Sequence, residues 1–120
     1  MYKIVFYKDE RGNCQVLDEI NNLRKKNDKD SRINLNKIED IINGLKKYGM
    51  NLGMPRIRRL RNDIWEMRPI RNRILFFSYK NEKIVLLHSF VKKTNKTPNR
   101  EIEKAIKEMN NYIRGEENEE

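Results

Sequence analysis

RILFFSYKNEKIVLLHSFV, Arg73–Val91, is the stretch whose reading decides the fold. Two runs rich in β-formers, Arg73–Tyr79 and Ile84–Val91, are joined by the polar turn KNEK, which reads as a hairpin. The second run is apolar on both faces instead of alternating. That is expected of a central strand covered on both sides.

Working outward, IWEMR (Ile64–Arg68) meets this hairpin across the short connection PIRN. On the other side come Lys92, Lys93 and a polar turn. Thr97 then fits an N-cap, with Pro98 at the first helical position. Ile102, Ala105, Ile106, Met109 and Ile113 are spaced as the buried stripe of a final helix, and Gly115 is expected to end it. Near the start, YKIVFY (Tyr2–Tyr7) alternates as a strand. Asn13 then caps a helix that carries Val16, Ile20 and Leu23 on one face. The clearest helix runs from Asp30 to Gly49, with a stripe of Leu35, Ile38, Ile42 and Leu45 widened by Ile41. NLGMPRIRRLRND reads as an irregular, very basic segment holding Arg56, Arg58, Arg59 and Arg61. The element order is β-α-α-β-β-β-α. It implies an α+β fold, with two N-terminal helices and a C-terminal helix packed on a mostly antiparallel sheet. Residues 1–115 are expected to form one domain, followed by an acidic, disordered tail at 116–120.

The chain has 120 residues and a formal net charge of +9. Four of its 18 acidic residues sit in the final GEENEE, so 27 basic residues face few acids in the remaining body. A body that basic suits a polyanion, because neutralising phosphates releases counterions. No apolar run approaches the ~20 residues of a membrane span, and MYKIVFYKDE is too short and polar for a signal peptide. The cytoplasm is the expected location, with no membrane partner. Cys14 is the single cysteine, which leaves no disulfide framework and no cysteine metal site. A single histidine adds no zinc cluster, and no cofactor or metal is expected.

Charge placement singles out a few residues. Period two puts Ile64, Glu66 and Arg68 on one strand face, and Arg73, Leu75 and Phe77 on the facing strand's equivalent. Arg68 and Arg73 then lie opposite each other, where like charges are destabilising. Either Glu66 alone holds a surface arginine pair, or a phosphate sits in the guanidinium forks. Lys92 and Lys93 precede a helix N-terminus whose free N–H groups favour an anion; the other reading is a solvated polar loop. His88 alternates with Ile84, Leu86 and Phe90 and reads as a satisfied core or core-edge histidine. Trp65 and the phenylalanines read as core. Tyr79 and Tyr112 have ordinary structural roles open to them besides stacking a base.

IWEMRPIRNRILFF followed by LLHSFVKKTNKTPNREIEKA resembles the HigB-like, phage-derived branch of the RelE/ParE superfamily of type II toxin–antitoxin toxins. F-x-K-K-T-x-K-T-P with E-I-x-x-A is the most specific part, and element order and length extend the resemblance over nearly the whole chain. The resemblance implies a ribosome-dependent endoribonuclease that cuts translated mRNA through attack by the substrate 2′-OH, without a metal. By carry-over, Arg73 and Lys93 neutralise the pentavalent phosphorane, and Arg68 matches the basic residue of the preceding strand. Lys92, Lys96 and the stretch Arg56, Arg58, Arg59, Arg61 track RNA backbone. Some members place a tyrosine near the start of the final helix, where this chain reads TPNREIEK, and others use histidines, of which only His88 exists here. Glu66 and Lys93 are the candidate general bases. A carboxylate between two cations favours its charged form, which suits orienting better than proton acceptance. Neighbouring cations disfavour the charge on Lys93.

The resemblance also implies a helix-turn-helix antitoxin, with operator DNA reached only through it. The alternatives are a ParE-like inhibitor of DNA gyrase, and a non-catalytic nucleic-acid-binding adaptor.

Overall fold

The computed structural model describes residues 1–119. The elements are β1 (Lys3–Phe6), α1 (Gln15–Lys25), α2 (Lys29–Tyr48), β2 (Ile57–Arg59), β3 (Trp65–Met67), β4 (Asn72–Tyr79), β5 (Lys83–Val91) and α3 (Asn99–Glu119), with a 3-10 turn at Gly49–Leu52. The sheet order is β1-β5-β4-β3-β2. β1 pairs parallel with β5, and the other three pairs are antiparallel. The α+β reading therefore holds, and β5 is an interior strand as its unbroken apolar run requires.

The sheet is covered on both faces. α1 and α2 bury Val16, Ile20, Leu23, Ile38, Ile41 and Leu45 against Ile74, Phe76, Ile84 and Leu86. α3 buries Ala105 and Met109 against Leu75, Phe77, Val85 and Leu87 on the other side. Each fully buried aliphatic side chain contributes about 1.5–3 kcal/mol relative to an exposed one. Spread over two cores, that suffices for a chain of this size without staples. Asp28 caps α2 by accepting from the Ser31 N–H at 2.9 Å. At the other end Gly49 has φ +58°, and a Cβ there would lie 2.5 Å from the Tyr2 ring. Glycine alone permits both the turn and the close packing of β1's start.

Several expectations shift. The basic segment is not wholly irregular: Ile57–Arg59 forms an edge strand, turned into β3 at Asn62 and Asp63, both with positive φ. Asn and Asp tolerate that conformation in tight hairpins. The first helix is capped one residue later than expected, at Cys14. The first backbone bonds of α3 run to the Pro98 carbonyl, and the Thr97 hydroxyl is spent on Glu66 instead of capping.

Gly115 does not end α3, which continues to Glu119. The Lys83 ammonium donates to Glu116 Oε1 at 3.0 Å and Tyr112 Oη donates to the same oxygen at 3.2 Å. These bonds hold the Glu116 carboxyl below its ordinary range. They anchor a helical turn that a lone exposed glycine, costing about 1 kcal/mol, does not break. The acidic end is thus helical through Glu119, and residue 120 lies outside the described residues.

The last correction concerns His88. Leu75 pairs with His88 but Phe76 with Leu86, so Leu87 is the extra residue of a β-bulge. The bulge resets the alternation. Ile84 and Leu86 face α1 and α2, whereas His88 turns with Leu87 to the α3 side. Ser89 then faces α1, where its N–H donates to Gln15 Oε1 at 2.5 Å.

Candidate nucleic-acid interface

The charged residues gather at one end of the α3 face, and strand register puts them there. Arg58 pairs with Glu66 across β2 and β3, Glu66 with Leu75, and Leu75 with His88. One row across the sheet therefore reads Arg58, Glu66, Leu75, His88. Met67 pairs with Ile74, and the next step of that register sets Arg68 opposite Arg73, as the sequence predicts. The connection between these two arginines is fixed from α2. Asn34, 2% exposed, donates to Asn72 Oδ1 at 2.6 Å and accepts from the N–H groups of Ile70 and Arg71.

Glu66 is 1% exposed and lies beneath the arginines. Its Oε1 accepts from Arg58 Nη2 at 3.1 Å and stands 3.7 Å from Arg68 Nε, an ion pair beyond hydrogen-bonding distance. Its Oε2 accepts from the Thr97 hydroxyl. Burial lowers the pKa of the Arg73 guanidinium from its ordinary value; Glu66 opposes this, and Arg68 and Arg58 add to it. Three arginines thus share one buried carboxylate. The Nε atoms of Arg58 and Arg68 are buried without a hydrogen-bond partner among the described residues. Such a surplus of guanidinium donors is what an anion such as phosphate can complete.

Arg73, itself 7% exposed, opens into a cleft of about 510 Å³. Lys92, Lys93, Lys96 and Arg100 line the same cleft, beside the start of α3. Arg73 and Lys93 are thus brought together. Glu66 is under the cleft and not in its lining, with its oxygens already taken. In that geometry it holds Arg58 and Thr97 by hydrogen bonds and Arg68 by an ion pair. Arg58, Arg59 and Arg61 line a shallower neighbouring cleft that shares Lys96 and Thr97 with the first. Arg61 also bonds Asn99 at the start of α3. Arg56 belongs to neither cleft; its carbonyl accepts from the Arg68 N–H at 2.8 Å. Tyr79 and Tyr112 stand with Phe77 in an edge-to-face cluster, among the residues of the α3 core.

Two groups at this site lack an obvious sequence signature of their role. Arg58 reads from the sequence as a backbone-tracking cation because β2 leaves no pattern there, yet it lies nearer Glu66 than Arg68 does. Glu101 was not singled out. It lines the cleft and lies 3.1 Å from His88 Nε2, while Glu108 Oε1 lies 2.5 Å from His88 Nδ1. The signal was present: two glutamates seven residues apart flank the apolar stripe of α3 and meet the single histidine of the strand beneath. Among the described residues no group of three or more His, Cys, Asp or Glu is arranged to hold a metal, and no helix is long and apolar enough to cross a membrane.

Fold and cleft together define a small RelE-like α+β domain with a basic cleft beside its last helix. The chain belongs to the phage derived Gp49-like protein family (DUF891), whose model matches residues 18–110 and so spans every residue of the cleft. That family is associated with RelE and toxin-type proteins in general, and a toxin-type protein implies an antitoxin partner. Comparison with curated proteins finds no match.

Proposed function

We propose that this chain is the toxin of a type II toxin–antitoxin module, a HigB-like endoribonuclease that cleaves mRNA on the translating ribosome in the cytoplasm. The observation that carries this reading is Arg73, a guanidinium buried beside two other arginines with one carboxylate between them, opening onto the cleft that holds Lys93. In this reading the scissile phosphate enters the cleft. The substrate 2′-oxygen bonds to phosphorus and the bond to the 5′-oxygen breaks, leaving a 2′,3′-cyclic phosphate and a 5′-hydroxyl. Charge builds on the phosphoryl oxygens in the transition state. Arg73 and Lys93 stabilise it from fixed positions, and Arg68 supports Arg73 from the facing strand. Glu66 orients Arg58 and Arg68. Lys92 and Lys96, with Arg58, Arg59 and Arg61 in the neighbouring cleft, follow the backbone on either side. The partner is a helix-turn-helix antitoxin that carries any operator contact.

The test is expression of the chain alone and with the adjacent open reading frame, with mapping of mRNA 5′-ends. Growth arrest with cuts in translated messages, relieved by the neighbour, is the expected result. Arg73→Ala and Lys93→Ala should each reduce cleavage by ~10²-fold or more. Arrest with intact mRNA and inhibited gyrase would establish the ParE-like alternative instead. Normal growth with abundant folded protein would remove the toxin reading altogether.

A further inference from the structure

The cleft is walled by cations, and Glu101 is the one carboxylate among its described lining residues. Its side chain is 18% exposed, so it reaches both the cleft and the interior. On the interior side Glu101 Oε1 is 3.1 Å from Nε2 of His88, whose ring is 1% exposed. The other ring nitrogen, Nδ1, is 2.5 Å from Glu108 Oε1. Glu108 in turn lines a separate cavity of about 610 Å³ together with Asp9, Asp18 and Lys104. A carboxylate, an imidazole and a second carboxylate thus run in series from the cleft through the α3 core. Each nitrogen–oxygen contact needs one hydrogen, because two lone pairs facing each other repel. Both ring nitrogens are therefore engaged. The bulge at Leu87 is what turns this ring to the α3 side, where both nitrogens meet carboxylates.

We propose that Glu101 is the proton-transfer group of the cleft, and that the buried His88–Glu108 pair is a positioning device that keeps it aimed. This rests on the ribonuclease reading above. Glu101 Oε2, the oxygen not engaged by His88, takes the proton of the substrate 2′-OH as the oxygen–phosphorus bond forms. The departing 5′-oxygen takes a proton from the Lys93 ammonium as its bond to phosphorus breaks. Exchange with water then returns the proton on Glu101 to solvent and restores the one on Lys93. Throughout, Oε1 goes on accepting from His88, so the ring need not move. The groups facing Glu101 are His88 from β5, Arg100 from its own helix, and Arg73, Lys92 and Lys93 around the cleft.

The experiment compares wild type, Glu101→Gln and Glu108→Gln in single-turnover cleavage of ribosome-bound mRNA across pH, with thermal unfolding in parallel. Glutamine at 101 still offers His88 an acceptor, so the variant should melt near wild type while cutting ~10²–10⁴-fold more slowly, the usual contribution of a positioned general base. It should also lose the low-pH limb of the rate profile. Glu108→Gln touches no substrate. It should cut only severalfold more slowly, but the low-pH limb of its profile should be displaced from that of wild type, because the ring that engages Glu101 has lost its charged partner at Nδ1. A merely structural tie between β5 and α3 would change melting and leave the limb in place. Wild-type activity and an unchanged profile in Glu101→Gln would overturn this assignment while leaving the ribonuclease reading intact. A wild-type protein that folds and cuts no mRNA would overturn both.

Discussion

Phe76 and Leu75 are neighbours in β4, yet they end in different kinds of interior. Phe76 points to α1 and α2, among Ile74, Ile84, Leu86 and the helical stripe, where the side chains packed together are apolar. Leu75 points to α3 and is paired with Glu66 on one side and His88 on the other. Beyond it the face fills with arginines. The first face is held mainly by burial, which is non-directional and forgiving, with the Asn34–Asn72 bond at its edge. The second has its own apolar core and adds named polar partners, with more guanidinium groups than carboxylates to meet them. Such clusters are weak contributors to stability, and removing a single partner leaves a charge uncompensated. The sheet therefore carries an apolar core on each face and, at one end of the α3 side, a cationic site as well.

The sharpest way to break this comparison is to remove one residue from each face. Phe76→Ala should cost about 3–5 kcal/mol, the usual result of a cavity under a buried ring. Glu66→Ala should cost about 2–4 kcal/mol, somewhat less than a fully buried pair, because Arg58 and Arg68 reach solvent. The two losses differ in kind. Millimolar phosphate should restore much of the Glu66→Ala loss by standing in for the missing carboxylate, and should do little for Phe76→Ala. Chemical denaturation with and without phosphate measures both. Equal responses would show that the second face is not an anion site.

Arg73 gives a smaller and opposite effect. Its pKa is lowered chiefly by burial, so its charged form is disfavoured in the folded state. A base whose folded pKa is depressed detracts from stability at every pH below that value, which here includes the whole working range. Arg73→Met should therefore unfold within about 1 kcal/mol of wild type, on the stabilised side, while losing cleavage. Loss of several kcal/mol in this variant would mean that Arg73 is structural.

What was legible follows the same division. Element order, the α2 stripe and the central strand could be read because apolar periodicity reports which face is buried. Arg68 opposite Arg73 was legible because a short connection fixes register. β2 was not, since a three-residue edge strand rich in arginine has almost no pattern, and its turn used Asn62–Asp63 in place of a glycine. The His88–Glu101–Glu108 series was hidden by one extra residue at Leu87. A bulge reverses the facing of everything after it and leaves no mark on composition. Thr97 was read by its local chance to cap, and a distant glutamate won it. Contacts between elements far apart in sequence are what single-chain patterns cannot carry.

Asp28 supplies the mildest test, on the side where charge is dispensable. It accepts from the backbone N–H of Ser31, and that bond above all lowers its pKa. A depressed carboxyl contributes stability that is present at neutral pH and lost as pH falls through its folded value, below the ordinary aspartate range. Asparagine caps helices as well as aspartate does, through the same kind of bond, but does not titrate. Asp28→Asn should therefore keep neutral-pH stability and flatten part of the acid limb of unfolding, whereas Asp28→Ala should lower stability at both ends. Neither should alter cleavage, because α2 lies across the sheet from the cleft. Unfolding midpoints measured from neutral to strongly acidic pH, beside mRNA cleavage at neutral pH, decide it. An Asp28→Asn protein that folds normally but no longer cuts would show that the two faces are coupled, through Asn34 and the connection it holds between Arg68 and Arg73.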